Sequence, residues 1–184
     1  HDVRAAFRAA LAGWGRDVAV LDDPALVDAA LDALYEDFRT VQAAEAWAAH
    51  GAWVRAHPGA LGADVAARFA WASTVSSDAE RAARGRLDAA RRGIDAVLGD
   101  AVLVLPTAAS VAPALDADGR EIEAVRAATL RMTAVAGVTG RPALSAPLLA
   151  VGGAPVGVCL VGPRGSDLAL LAVARELAAG TSPR

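Results

Sequence analysis

The 22 residues between Arg141 and Arg164 carry no charge, and this stretch constrains the fold more than any other. Its length would suffice to cross a bilayer as one helix. Pro142, Pro147, Pro155 and Pro163, with Gly152, Gly153, Gly157 and Gly162, interrupt it throughout. Proline removes a backbone donor and clashes with the preceding turn, and glycine weakens any helix interior. The segment therefore reads as two short strands, "PALSAPLLAV" and "APVGVCLVGP", joined around Gly152-Gly153 as a hairpin or as neighbouring strands.

Other segments give a consistent series. "HDVRAAFRAALAGWG" spaces Val3, Phe7, Ala10 and Leu11 at helical intervals and stops at Gly13/Gly15. "RDVAVLD" reads as a short strand, and Asp22 or Asp23 before Pro24 as a helix N-cap. A long helix is expected from Pro24 to Pro58-Gly59. It places Leu31, Leu34, Phe38, Val41, Ala49 and Ala52 on one face and Trp47 and Val54 on the other, as in a helix covered on both sides. Gln42 and Glu45 fall on the first face, where a carboxylate needs a partner or a polar cavity.

A second helical segment spans about residues 62–98, with Gly85 and Gly93 as expected interruptions. Arg81, Arg84, Arg86, Arg91 and Arg92 make a solvated flank. "AVLVLP" has the continuous apolar character of a strand buried on both faces. A helix follows over about 122–138, and "GPRGSD" hands over to a last helix, "LALLAVARELAA". Helices first, then alternating strands and helices, predict an α/β fold with helices packed on a mixed β-sheet. The chain reads as a single domain over 1–184, mainly helical over 1–98 and sheet-forming over 99–184.

Composition excludes several functions. With 55% hydrophobic and 21% charged residues the chain is globular in character. Its net charge of −3 supplies no footprint for nucleic acid or an anionic membrane. There is no lysine and no asparagine, and alanine fills more than a quarter of the positions. Lack of lysine excludes a Walker-type phosphate loop. The single Cys159 excludes an internal disulfide and reads as a packed hydrophobe. His1, His50 and His57 show no metal-ligand spacing, so no metal or cofactor is expected. No signal peptide is visible, which points to a cytoplasmic protein. A first residue of His1 rather than methionine suggests a processed product or a fragment.

Thr107 and Ser110 sit in the loop after "AVLVLP", where a hydroxyl can serve as a nucleophile if a base is near. No His, Lys, Asp or Glu lies between Leu103 and Leu115, so turn hydroxyls are the plain reading. Ser145 in "PALSAP" is similarly isolated. "RTVQAAEAWAAHGAW", residues 39–53, gathers Gln42, Glu45, Trp47, His50 and Trp53 on a helix expected to be largely buried. Core packing, a pocket wall and a Glu45/His50 acid–base pair are its alternatives. The last has its two side chains about 140° apart on the helix.

Four stretches together carry a family resemblance: "RTVQAAEAWAAHGAW", "DAVLVLPTAASVAPAL", "RMTAVAGVTGRPALSAPL" and "GAPVGVCLVGPRGSDLALLAVA". In this order they resemble the C-terminal half of the amidase signature family, and most of all general amidases and indoleacetamide-hydrolase-like members. The resemblance implies the C-terminal part of an α/β/α fold and the hydrolysis of carboxamides by a Ser-Ser-Lys triad. In such a triad lysine activates one serine through the other, while backbone amides hold the oxyanion.

This chain has neither a lysine nor a Gly-Gly-Ser-Ser segment, so it is expected to hold no catalytic residue and to be inactive alone. The resemblance assigns a substrate-binding wall to Thr107, Gln42, Trp47, His50 and Trp53. Ala109 stands where many relatives carry a second proline, and Leu130-Arg131-Met132-Thr133 departs from the pattern of tRNA-dependent amidotransferases. The partners implied are a small amide substrate, the N-terminal half of the amidase domain and a second copy in a homodimer. A non-catalytic scaffold subunit and part of an amidotransferase A-type subunit are the alternatives. Without a covering half, a sheet edge and one sheet face should lie open.

Overall fold

The computed structural model describes residues 2–15 and 24–181. The strand expected at 16–22 and the cap at Asp22 or Asp23 lie outside the described residues. Among the described residues, six helices and three strands follow one another as α1 (Asp2–Gly13), α2 (Pro24–Ala56), α3 (Ala63–Ala72), α4 (Ser77–Leu98), β1 (Leu103–Pro106), α5 (Gly119–Thr139), β2 (Ala143–Val151), β3 (Ala154–Val161) and α6 (Asp167–Thr181).

The uncharged stretch is the β2–β3 hairpin. Gly152 and Gly153 have φ of 57° and 82°, the left-handed pair that a tight hairpin turn requires. Pro147 falls where the register shifts between Ala146 and Leu149, a place where a missing donor breaks no ladder. β3 is central, in the order β1-β3-β2, and both pairings are antiparallel. Its residues Val158, Leu160 and Val161 are the most deeply buried of the sheet.

Alternation divides the sheet into two faces. On one, Val156, Val158 and Leu160 of β3 join Val3 of α1 and Leu170, Ala174 and Leu177 of α6 in the main core. The other carries Leu105, Cys159 and Ser145 in register, with Thr107 opposite Gly157 just beyond β1. Helices α2, α3, α4 and α5 pack on one another as a separate group, with α2 against each of the other three.

The segment at 62–98 divides at residues 73–76, not at its glycines. Ser76 caps α4 by accepting from the Ala79 amide at 3.1 Å, and Gly85 and Gly93 remain inside the helix. A side-chain cap stabilises a helix start, whereas a mid-helix glycine only weakens one. β1 also differs from expectation. It is an edge strand whose four residues are half-buried, because only β3 pairs with it among the described strands.

The arginines of α4 are less free than a solvated flank implies. Arg86 clamps Asp37 of α2 with contacts down to 2.6 Å, and Arg84 reaches Glu45 of α2 at 2.9 Å while holding Glu80 at 2.8 Å. Hydrogen bonds to these carboxylates push both guanidinium groups above their ordinary pKa, Glu80 acting first on Arg84 and Asp37 on Arg86.

Candidate functional site

Thr107 leaves β1 at the end of the sheet. Its amide donates to the Gly157 carbonyl at 2.9 Å, which extends the ladder by one residue. Its Oγ1 shares a hydrogen bond of 2.8 Å with Ser145 Oγ of β2. Two residues further on, the Ala109 amide donates to Thr129 Oγ1 of α5 at 3.1 Å. Ser110 turns its hydroxyl to the Val111 carbonyl at 2.7 Å. The loop is therefore pinned to β3, β2 and α5, and its hydroxyls are bonded to each other or to backbone. No histidine or carboxylate is among these partners, so the loop does not present a nucleophile with its base.

The α2 residues lie in a different setting. His50 meets Phe69 of α3 edge-on at 6.3 Å, and Trp53 stacks on His57 at 4.5 Å. Arg55 lies 5.0 Å from the Trp47 ring, and that ring covers Gly51 so closely that a Cβ there would sit 2.8 Å from it. Trp47 also lines a pocket of about 200 Å³ with His57, Leu61 and Phe69. Gln42 is exposed.

This part of α2 is not the buried helix its composition suggests. Gln42, Glu45, Ala49, His50, Ala52 and Trp53 are all exposed, and Glu45 finds its partner in Arg84. The bonding partners of Thr107 are on β2 and β3, whereas His50 meets a ring of α3 and Trp53 one just beyond the end of α2. Glu45 pairs with Arg84 and His50 meets Phe69; neither contact joins the two residues to each other.

A larger feature lies at the open sheet edge. A groove of about 1010 Å³ runs beside β1, between Val3, Phe7 and Leu11 of α1 on one side and Ile94 and Val97 of α4 with Met132 and Val135 of α5 on the other. Leu103, Leu105 and Pro106 form its floor. Its lining holds no carboxylate, histidine, cysteine or hydroxyl; the charged members are Arg4, Arg8 and Arg131. Such a surface suits packing and offers no group for catalysis.

Among the described residues no group of three His, Cys, Asp or Glu side chains is placed to hold a metal ion, and no helix is long and apolar enough to cross a membrane.

Comparison with known proteins gives the broader frame. No family model matches the chain. It is 31% identical over 150 residues to "Amidase 1" of Arabidopsis thaliana, a match covering 81% of this chain and 35% of that protein. A crystal structure of an amidase superposes with a TM-score of 0.66 at 25% identity, over 82% of this chain and 35% of the other. An allophanate hydrolase of Kluyveromyces lactis gives a TM-score of 0.86 at 21% identity, over 100% of this chain and 30% of that one, a likeness of fold. The chain thus spans about a third of the length of the relatives it matches. Sequence and fold agree in likening the chain to amidases, and they support its assignment to the C-terminal portion of an amidase signature domain.

Proposed function

We propose that this chain is the C-terminal part of a cytoplasmic serine amidase that hydrolyses carboxamides by acyl transfer to a serine. The Ser-Ser-Lys machinery is supplied by residues outside these 184, and the chain contributes sheet strands and a substrate rim. One observation carries this reading: a chain related to an amidase contains no lysine at all. The apolar groove beside the edge of β1 left unpaired among the described residues supports it, as a place where further strands of the same domain seat between two helical layers. In this reading Thr107 faces the acyl side of the amide, and Gln42, Trp47, His50 and Trp53 form an outer wall.

The chemistry is then divided. The catalytic serine attacks the amide carbonyl, the amine leaves, and water hydrolyses the acyl-enzyme. The test compares the 184-residue chain with the complete gene product on benzamide and indoleacetamide, reading ammonia release. We expect activity in the complete product and none in the chain alone. Hydrolysis by the chain alone at enzymatic rates overturns the division of labour. A complete product that binds amides without cleaving them supports a scaffold subunit instead.

A further inference from the structure

β1 and β2 are not neighbours: β3 runs between them. Two outer strands of a three-stranded sheet are separated by two interstrand spacings, roughly 9.5 Å. Side chains that short meet across a central strand only if the strand presents nothing between them. Here the intervening residue is Gly157. A Cβ on it would lie 2.7 Å from Ser145 Oγ and 2.7 Å from Thr107 Oγ1. Gly157 is not among the glycines with positive φ, so backbone freedom does not explain its presence. A glycine inside a strand weakens the strand and marks a close approach. What approaches here is a pair of hydroxyls.

We infer that Ser145 is a positioning residue for Thr107, holding the rim hydroxyl toward a hydrogen-bond acceptor on the acyl portion of the substrate; this role rests on the amidase reading above. Two hydroxyls joined by one hydrogen bond retain one O–H and several lone pairs. When Ser145 donates to Thr107, the Thr107 proton is left for an outside acceptor. Ser145 is exposed and Thr107 half-buried, so the pair faces outward rather than into the core. The Thr107 amide bond to Gly157 and the Thr129 bond to the Ala109 amide fix the backbone on either side. Only the side-chain rotamer remains to be set, and Ser145 sets it.

The test uses the complete gene product and two amides, one bearing a second carbonyl on its acyl portion and benzamide, which has none. Loss of one hydrogen bond changes affinity by about fivefold. Ser145→Ala should raise KM for the carbonyl-bearing amide by about that factor, leaving kcat and the benzamide KM unchanged. Ser145→Thr, which keeps the hydroxyl, should restore the preference. Thr107→Val and Gly157→Ala should likewise raise KM for the carbonyl-bearing amide. The Ser145→Ala/Thr107→Val double variant should be no worse than either single one, since residues of one unit are not additive.

Equal KM changes for both amides, or additive effects in the double variant, overturn the positioning role alone. A complete product that hydrolyses neither amide overturns the amidase reading and this role with it. Thermal unfolding of each variant separates loss of fold from loss of preference.

Discussion

Arg141 Nε donates to Asp95 Oδ1 at 2.9 Å, joining the start of β2 to the end of α4 through an arginine side chain only 5% exposed. The clasp has further arms. Arg141 Nη2 donates to the Gly99 carbonyl at 3.0 Å, and Arg164 of the β3–α6 loop reaches Asp95 Oδ2 at 3.1 Å and the Thr139 carbonyl. Three chain reversals are held by one carboxylate. A buried guanidinium left without its counter-ion is strongly destabilising.

That arrangement predicts a pH dependence. The hydrogen bond from Arg141 first, and then that from Arg164, holds the Asp95 carboxyl below its ordinary value. A depressed carboxylate contributes its stability above the unfolded pKa, about 3.9, and loses it as pH falls through the folded value. The urea midpoints of the native chain and Asp95→Asn should therefore differ by a constant amount from about pH 5 to 8, and converge below about pH 4. A gap that persists undiminished at pH 2 would contradict the clasp.

The centre of β3 should dominate stability. Leu160 is 0% exposed between the sheet and α6, whereas Leu168 on the outer side of α6 is 81% exposed. Leu160→Ala should cost about 3 kcal/mol in chemical unfolding. Leu168→Ala should cost less than about 0.5 kcal/mol. Comparable losses at the two positions would show that the core lies elsewhere.

The boundary between α3 and α4 is open to a paired test. Ser76→Ala removes the side-chain cap and should destabilise by about 1 kcal/mol. A Cβ at Gly85 or Gly93 meets nothing within 4 Å, so alanine there should stabilise by about 0.5–1 kcal/mol. Were either glycine a helix break, its substitution would instead be harmful.

The groove beside β1 should make the isolated chain sticky. Val97 lines it and is 72% exposed, so Val97→Lys changes the surface with little effect on the fold. We expect the native chain to bind an apolar fluorescent dye and to associate in sedimentation, and the variant to do both less. Equal dye binding in the two proteins would remove the groove as an apolar docking surface.

Much of the architecture is written locally. Gly152-Gly153 between alternating strands specifies the hairpin, and Pro24, Gly13 and Gly140 mark helix ends that the fold respects. The misread parts share one cause: local patterns report what a segment can bury, not what covers it. "AVLVLP" has the composition of an interior strand, yet among the described residues only β3 pairs with it. The later half of α2 carries tryptophans and alanines suited to a core, yet Ala49, Ala52 and Trp53 face outward. The Thr107–Ser145 contact had one available signal, the lone Gly157 inside a strand. The groove had an indirect one, the open sheet edge expected beside "AVLVLP", while its helical walls arise from elements far apart in sequence.

The sheet topology finally implies an order of assembly. β2 and β3 close over a two-glycine turn, whereas β1 can join β3 only after α5 and its loops have been spanned. Loop closure is slower and entropically costlier the longer the intervening chain. The hairpin should therefore form early and the Thr107 rim late, so that amides of β1 exchange with solvent before those shared by β2 and β3. The loop that carries Thr107 is thus the last part of this molecule to acquire its shape.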